Sequence, residues 1–319
     1  MARAILGLLA AFLTALACAQ DYPSRPVRII VPLPPGGISD NIARVLAARL
    51  AERTRQPFLV DNRSGANGVL GTELAMKAAP DGYTLLMGGS GPLAILPNLV
   101  AKLPYDSLKD FAPIALVGTW ANLLVVHPSV PASNVKELIA LAKSRPGALS
   151  YASQGNGSTG HIAGELFKQL AGLDIVHVPY KGAAPAAQDL LGGQVSMMFD
   201  TVMVSMPHVR AGKLRALAIA SKTRNPGAPG VPTMAEAGLP GVESGAWFGP
   251  VAPAGTPRAI LDWMNRETRR VFSEPNERDR LLAQGAAPAL GSPEDYSAHI
   301  RAELERWGRV IRAAGIKSE

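Results

Sequence analysis

The chain has 319 residues and carries 32 Lys and Arg against 25 Asp and Glu, a formal charge of +7, with 47% hydrophobic residues and one cysteine. That length exceeds what one hydrophobic core usually supports, so two domains are expected. The composition excludes disorder and a disulfide framework. The charge does not form a nucleic-acid surface: from Thr256 onward 11 Lys/Arg face 10 Asp/Glu, and the remaining excess is scattered without aromatic interleaving.

Arg3 opens a basic start, residues 4–17 are apolar apart from Gly7 and Thr14, and Ala17-Cys18-Ala19 fits a small-x-small cleavage site. Residues 1–19 are therefore expected to be a signal peptide cut after Ala19, placing the mature protein outside the cytoplasm. The apolar run is too short to span a hydrocarbon core of about 30 Å. Cys18 permits a rival reading as a lipid-anchor site, although Ala15 stands where a large aliphatic residue is usual.

Strand-like apolar runs follow at residues 27–31, 58–60, 83–87, 123–126, 149–152, 175–178, 195–199 and 214–219. Segments of helical period at 41–50, 135–142 and 162–170 lie between several of them, the pattern of an α/β fold with parallel strands and crossovers. Near the C-terminus, residues 257–272, 276–282 and 293–313 read as helices with few strands of their own to cover. They are expected to pack back onto the first sheet. The expected division is residues 20–124 with 246–319 as one lobe and 125–245 as the other, joined through residues 121–127 and 247–253.

In open α/β sheets the chemistry gathers beyond the carboxyl ends of strands. The first such loop, Pro32-Leu33-Pro34-Pro35-Gly36-Gly37-Ile38-Ser39-Asp40, is stiffened by proline and ends at a helix N-terminus. There, free N–H groups and the helix dipole favour an anion. It also has a plain reading as a turn with Ser39 or Asp40 as the cap. A second loop, Ser153-Gln154-Gly155-Asn156-Gly157-Ser158-Thr159-Gly160-His161, concentrates donors suited to an oxyanion.

Enzymatic readings fail on spacing. Gly155, Gly157 and Gly160 match a dinucleotide fingerprint, but no carboxylate ends the next strand, where Pro179-Tyr180-Lys181 stands. Pro92 and Asn156 occupy positions that a serine nucleophile elbow at Ser90 or Ser158 needs as glycine. The five histidines are widely separated, so no metal site is expected. His161, three residues from Ser158, could serve it as a base or orient the loop; the second reading is preferred. No cofactor is implied.

Taken in order, several motifs resemble the Bug family of periplasmic receptors for tripartite tricarboxylate transporters. They are Val31-Pro32 through Gly36-Gly37 and Asp40, Asn62-Arg63 with Gly65-Ala66 and Gly68, Pro80-Asp81-Gly82-Tyr83, the 153–161 loop, His177-Val178-Pro179-Tyr180-Lys181-Gly182, and Ala252-Pro253 through Pro257. The resemblance runs from about Asp21 to Lys317. It implies a type II periplasmic-binding-protein fold with a cleft between two lobes. It also implies a non-enzymatic receptor that captures a di- or tricarboxylate, an acidic amino acid or an aromatic acid for the transporter's membrane components.

By position, the resemblance makes Gly36 and Gly37 the amides that meet a ligand carboxylate, with Asp40 in the same loop. Ser153, Asn156, Ser158 and Thr159 supply the polar second loop, and His161 stands at or behind it. Ser90 and Asp200 fall at the variable end of the ligand. Trp247 either walls the cleft or packs the crossing. Leu33 stands where the family commonly has Phe, which alters the pocket floor. A monomer is expected, and a ligand-sensing subunit for a signalling partner, or an exported enzyme using the same cleft, is the alternative.

Overall fold

The computed structural model describes residues 22–316. The expected signal peptide, its cleavage after Ala19, and Cys18 lie outside the described residues.

The first strand, β1 (Val27–Val31), is buried on both faces and pairs in parallel with β2 (Phe58–Asn62) and β3 (Thr84–Gly89). Such a strand reads as a continuous apolar run because helices cover both faces. Helix α1 (Ile38–Thr54) follows β1, α2 (Val69–Met76) follows β2, and a tight π-turn over Gly91–Ile95 leads from β3 into the short α3 (Leu96–Leu99). A short β4 (Phe111–Pro113) precedes β5 (Gly118–Val126), the strand that joins the two halves of the molecule.

Residues 118–121 of β5 pair antiparallel with β10 (Gly245–Pro253) and, from 118 to 120, with β11 (Ala286–Pro288). From Asn122 to Val126 the same strand pairs with β8 (Met197–Thr201), and it meets β9 (Arg215–Ile219) from Leu123. The change of partners thus falls between Ala121 and Asn122. The return crossing lies at Ser244 and Gly245, where Asn122 N–H donates to Ser244 O at 3.0 Å. Residues 247–253, expected to be the second connection, instead lie in the first sheet between β3, β4 and β5.

Helix α4 (Val135–Ser144) leads to β6 (Ser150–Ser153), α5 (Thr159–Ala171), β7 (Val176–Pro179) and α6 (Ala183–Leu191), and α7 (Val202–Arg210) follows β8. The parallel strands β7, β6 and β8 continue the sheet beyond β5, in the order β2-β1-β3-β10-β5-β8-β6-β7.

Each half is a sheet covered on both faces. In the first, α1, α8 (Arg258–Ser273) and α9 (Pro275–Ala283) enclose one core with β1 and β3, while α10 (Pro293–Ala313) buries Tyr296, Ile300 and Trp307 against the other face. The C-terminal helices therefore do return to the first sheet. In the second half, α4 and α5 cover one face and α6 and α7 the other. Ile162 and Leu166 of α5 also pack into the core containing Trp247 and α10, so the halves share buried apolar surface near the crossing.

Candidate functional site

The loops at the carboxyl ends of β1, β6, β7 and β8 each enter a helix, and contacts show that they come together. Asn41 Nδ2, in the first turn of α1, lies 3.9 Å from Met203 Sδ in the first turn of α7. A Cβ on Gly182, at the start of α6, would lie 3.2 Å from Pro34 Cγ, and Asn67 Nδ2 donates to Asn156 O across the gap. The positive ends of four helices thus face one another from two sheets, an arrangement that favours an anion without a formal cation.

The first loop is built to leave the α1 N-terminus open. Gly36 has φ +86°, a region that favours glycine. Its N–H donates to Asp40 Oδ2 at 3.0 Å, within the loop. Asp40 also accepts from Arg44 Nε at 2.9 Å and Asn62 Nδ2 at 2.9 Å. Burial works to raise the Asp40 carboxyl, but these donors outweigh it and hold the group below its ordinary value. Asp40 is accordingly a brace of the loop, buried to 2% exposure. Gly37 is the N-cap residue and brings no side-chain cap; its carbonyl accepts from Asn41 N–H at 3.0 Å, while the N–H groups of residues 38–40 have no partner within the helix. Ser39 Oγ beside them is buried without a hydrogen-bond partner.

The second loop is held from behind. Ser153 is fully buried, with Oγ 2.7 Å from His177 Nε2 and accepting from Gly155 N–H at 3.2 Å. Ser158 is the N-cap of α5, its Oγ accepting from His161 N–H at 3.2 Å, which leaves the hydroxyl proton for another acceptor. Thr159 Oγ1 points to Asn122 Oδ1 at 3.4 Å, in the crossing. His161 Nδ1 accepts from Gly157 N–H at 3.2 Å, and its ring stacks on His177 with centroids 4.4 Å apart. Burial pushes the His161 imidazole below its ordinary value; Glu165 opposes this and Lys168 adds to it.

At the end of β8, Asp200 is 1% exposed and turns into its own helix start, accepting from Ser205 Oγ at 2.7 Å and Gln154 Nε2 at 3.4 Å. Burial pushes its carboxyl up against these donors. The next residue, Thr201, caps α7 without a side-chain cap bond, and Thr201 Oγ1 and Gln154 Oε1 are both buried without partners. Native interiors seldom leave such groups unpaired.

The model of the family described as tripartite tricarboxylate transporter family receptor matches residues 42–316. The chain belongs to that family. It is 41% identical over 300 residues to the protein BugT of Bordetella pertussis, covering 94% of this chain and 92% of the relative. An R. palustris protein solved with adipate is 40% identical, with a TM-score of 0.89 over 93% of this chain and 99% of that one. MatC from Rhodopseudomonas palustris, solved with malate, is 36% identical, with a TM-score of 0.85 over 91% and 100%. The fold is that of a type II periplasmic binding protein, two lobes with a cleft between them.

In this receptor the remaining expected contacts divide. Ser90, 2% exposed, follows β3 and caps the π-turn. Leu33 packs partly against the core between α1 and the first sheet. Trp247 does not wall the cleft: its indole is edge-on to Tyr296 and His299, and Nε1 donates to Glu303 Oε2 at 3.2 Å. Alternation along β10 turns Trp247 to the α10 face, opposite Phe248. Ser39 and Thr201, whose buried hydroxyls have no internal partner, were not singled out, because sequence alone does not show which loop hydroxyls find internal partners. Among the described residues no group of three or more His, Cys, Asp and Glu could hold a metal, and no helix is long and apolar enough to cross a membrane.

Proposed function

We propose that this receptor is a periplasmic, monomeric, non-catalytic protein that binds a small dicarboxylate between its lobes and presents it to the membrane components of a tripartite tricarboxylate transporter. On this reading residues 1–19 direct export and are removed after Ala19. The lobes part near Ala121/Asn122 and Ser244/Gly245 and close over the ligand.

The observation that carries the reading is the uncapped N-terminus of α1, which contacts of Asn41 with Met203 and of Pro34 with Gly182 set against the starts of α7 and α6. One carboxylate rests on the N–H groups that follow Gly37 and on the Ser158 hydroxyl; the opposite end of the ligand lies toward Ser90 and Thr201. Gly36, Asp40, Ser153, His161 and Asp200 hold these donors in place. Binding of adipate and malate by two relatives supports a dicarboxylate of four to six carbons.

A thermal-shift screen against carboxylates, beginning with adipate and malate, tests this. A ligand at 100 times its dissociation constant should add about 2.7 kcal/mol of stability. Stabilisation by amines or neutral sugars, with no response to any carboxylate, would overturn the reading.

A further inference from the structure

Two of the five histidines stand together behind the ligand loop, and neither touches the proposed ligand. His161, in the first turn of α5, and His177, in the middle of β7, stack at 4.4 Å with 22° between their planes. Tyr151 of β6 stacks on the other face of His177 at 4.7 Å. Each ring holds a different point of the loop: His177 Nε2 meets Ser153 Oγ at 2.7 Å and His161 Nδ1 accepts the Gly157 N–H at 3.2 Å. The charged and titratable groups around them are Glu165 and Lys168 on α5 and Tyr151 on β6. Glu165 Oε1 accepts from Tyr151 Oη at 2.6 Å and Lys168 Nζ at 2.9 Å.

We propose that His161 and His177 are positioning residues for residues 153–158, and that the loop, with the ligand resting on it, is released when the pair takes up a proton. An imidazole whose Nδ1 accepts an N–H carries no proton there, and protonation turns that acceptor into a donor facing a donor. Stacked rings at this distance resist charging together. The start of α5 adds a dipole end that also disfavours a cation.

The sign follows from linkage. The braced loop keeps His161 unprotonated, in keeping with its lowered pKa, whereas an opened loop regains ordinary proton affinity near 6.5. The brace is complete above that value and is lost as pH falls below it, by at most about tenfold per pH unit for one proton. This deepens the carboxylate reading but stands apart from it, because the loop can be observed without ligand.

The test is hydrogen–deuterium exchange of the peptide covering residues 153–161 in ligand-free protein at about pH 7.5 and about pH 5.5, normalised for intrinsic exchange. Protection should fall about tenfold at the lower pH. In His161→Asn, whose side-chain oxygen can accept the same N–H without titrating, the fall should vanish; in His177→Gln it should shrink. Calorimetry with adipate, comparing each variant with the wild type at the same pH, should show the same contrast with ligand ionisation cancelled. Equal protection of the wild-type loop at both pH values would overturn the proposal, as would an undiminished pH response in His161→Asn. If adipate fails to bind at either pH, the ligand assignment falls while the exchange result still decides the histidine pair.

Discussion

At Gly36 the backbone turns through φ +86°, while Gly37 beside it has φ −82° and ψ 179°, a conformation open to any residue. A Cβ on Gly37 would meet only Pro34 O, at 4.0 Å. The two glycines are therefore needed for different reasons, and substitution separates them. Gly36→Ala should cost about 1 kcal/mol of stability through backbone strain. Gly37→Val should leave the melting temperature nearly unchanged yet weaken ligand binding more than tenfold, because its branches stand over the open N–H groups of α1. Ser158→Ala should do both: about 1 kcal/mol for the lost cap, and about tenfold to a hundredfold in affinity for a hydrogen bond to a charged group. Lys181 is exposed and outside these contacts, so Lys181→Ala should bind normally. Calorimetry paired with thermal denaturation reads all four; loss of binding in Lys181→Ala alone would replace the dipole-and-hydroxyl grip with an ion pair.

Among the elements, α10 shows how a helix far from the ligand fixes the crossing. Glu303 Oε2 accepts from the indole N–H of both Trp307, at 2.9 Å, and Trp247, at 3.2 Å, while Arg306 Nη2 reaches Glu243 O at 2.9 Å, next to the return crossing. The anchor thus spans α10, β10 and the segment proposed as the hinge. Glu303→Leu would leave two buried indole donors unpaired and should cost about 2–4 kcal/mol in urea denaturation. The helices that periodicity did not reveal, α2, α3, α6 and α7, are short, and Pro97, Pro185 and Pro207 lie within α3, α6 and α7. Their sequences carry too few turns and too much proline for a helical period to stand out. The longer helices emerged within a few residues, and 293–313 at both ends, since its Ser292–Asp295 capping box and first-turn proline mark the start.

For the whole molecule, β5 passes between the lobes at Asn122, a fully buried amide in an otherwise apolar run. Its Nδ2 donates to Ser244 Oγ at 3.2 Å and its Oδ1 accepts from Thr159 Oγ1 at 3.4 Å, so both crossings and the start of α5 meet at one side chain. Asn225 Nδ2 adds a bond to Gly285 O at 2.8 Å, and Gln169 Nε2 one to Ala313 O at 2.8 Å. Two covalent crossings, a few such polar contacts and the apolar patch of Ile162 and Leu166 against the Trp247 core form the link about which the proposed rigid-body motion would turn. Small-angle scattering should show the protein becoming more compact on addition of a saturating dicarboxylate; identical curves would mean that the cleft is rigid.

The amino-acid sequence by itself determined the class of the fold, because strands buried on both faces and helices of long period follow from local apolar spacing. It also marked the two principal loops, since glycine, proline and hydroxyl residues between a strand and a helix are a local pattern. Tertiary structure decided which members of those loops remain open. Gly36, Asp40, Ser153, Thr159 and Asp200 are each hydrogen-bonded within the protein, while Ser39, Gln154 and Thr201 keep unpartnered atoms. The same holds for Trp247 and for the exact place of the crossing. A side chain's partners come from far along the chain, 24 positions for Ser153 with His177, 46 for Gln154 with Asp200 and 122 for Asn122 with Ser244. Hydrogen-bond satisfaction is therefore a property of the assembled sheet ends, and it becomes readable only when those ends have been brought together.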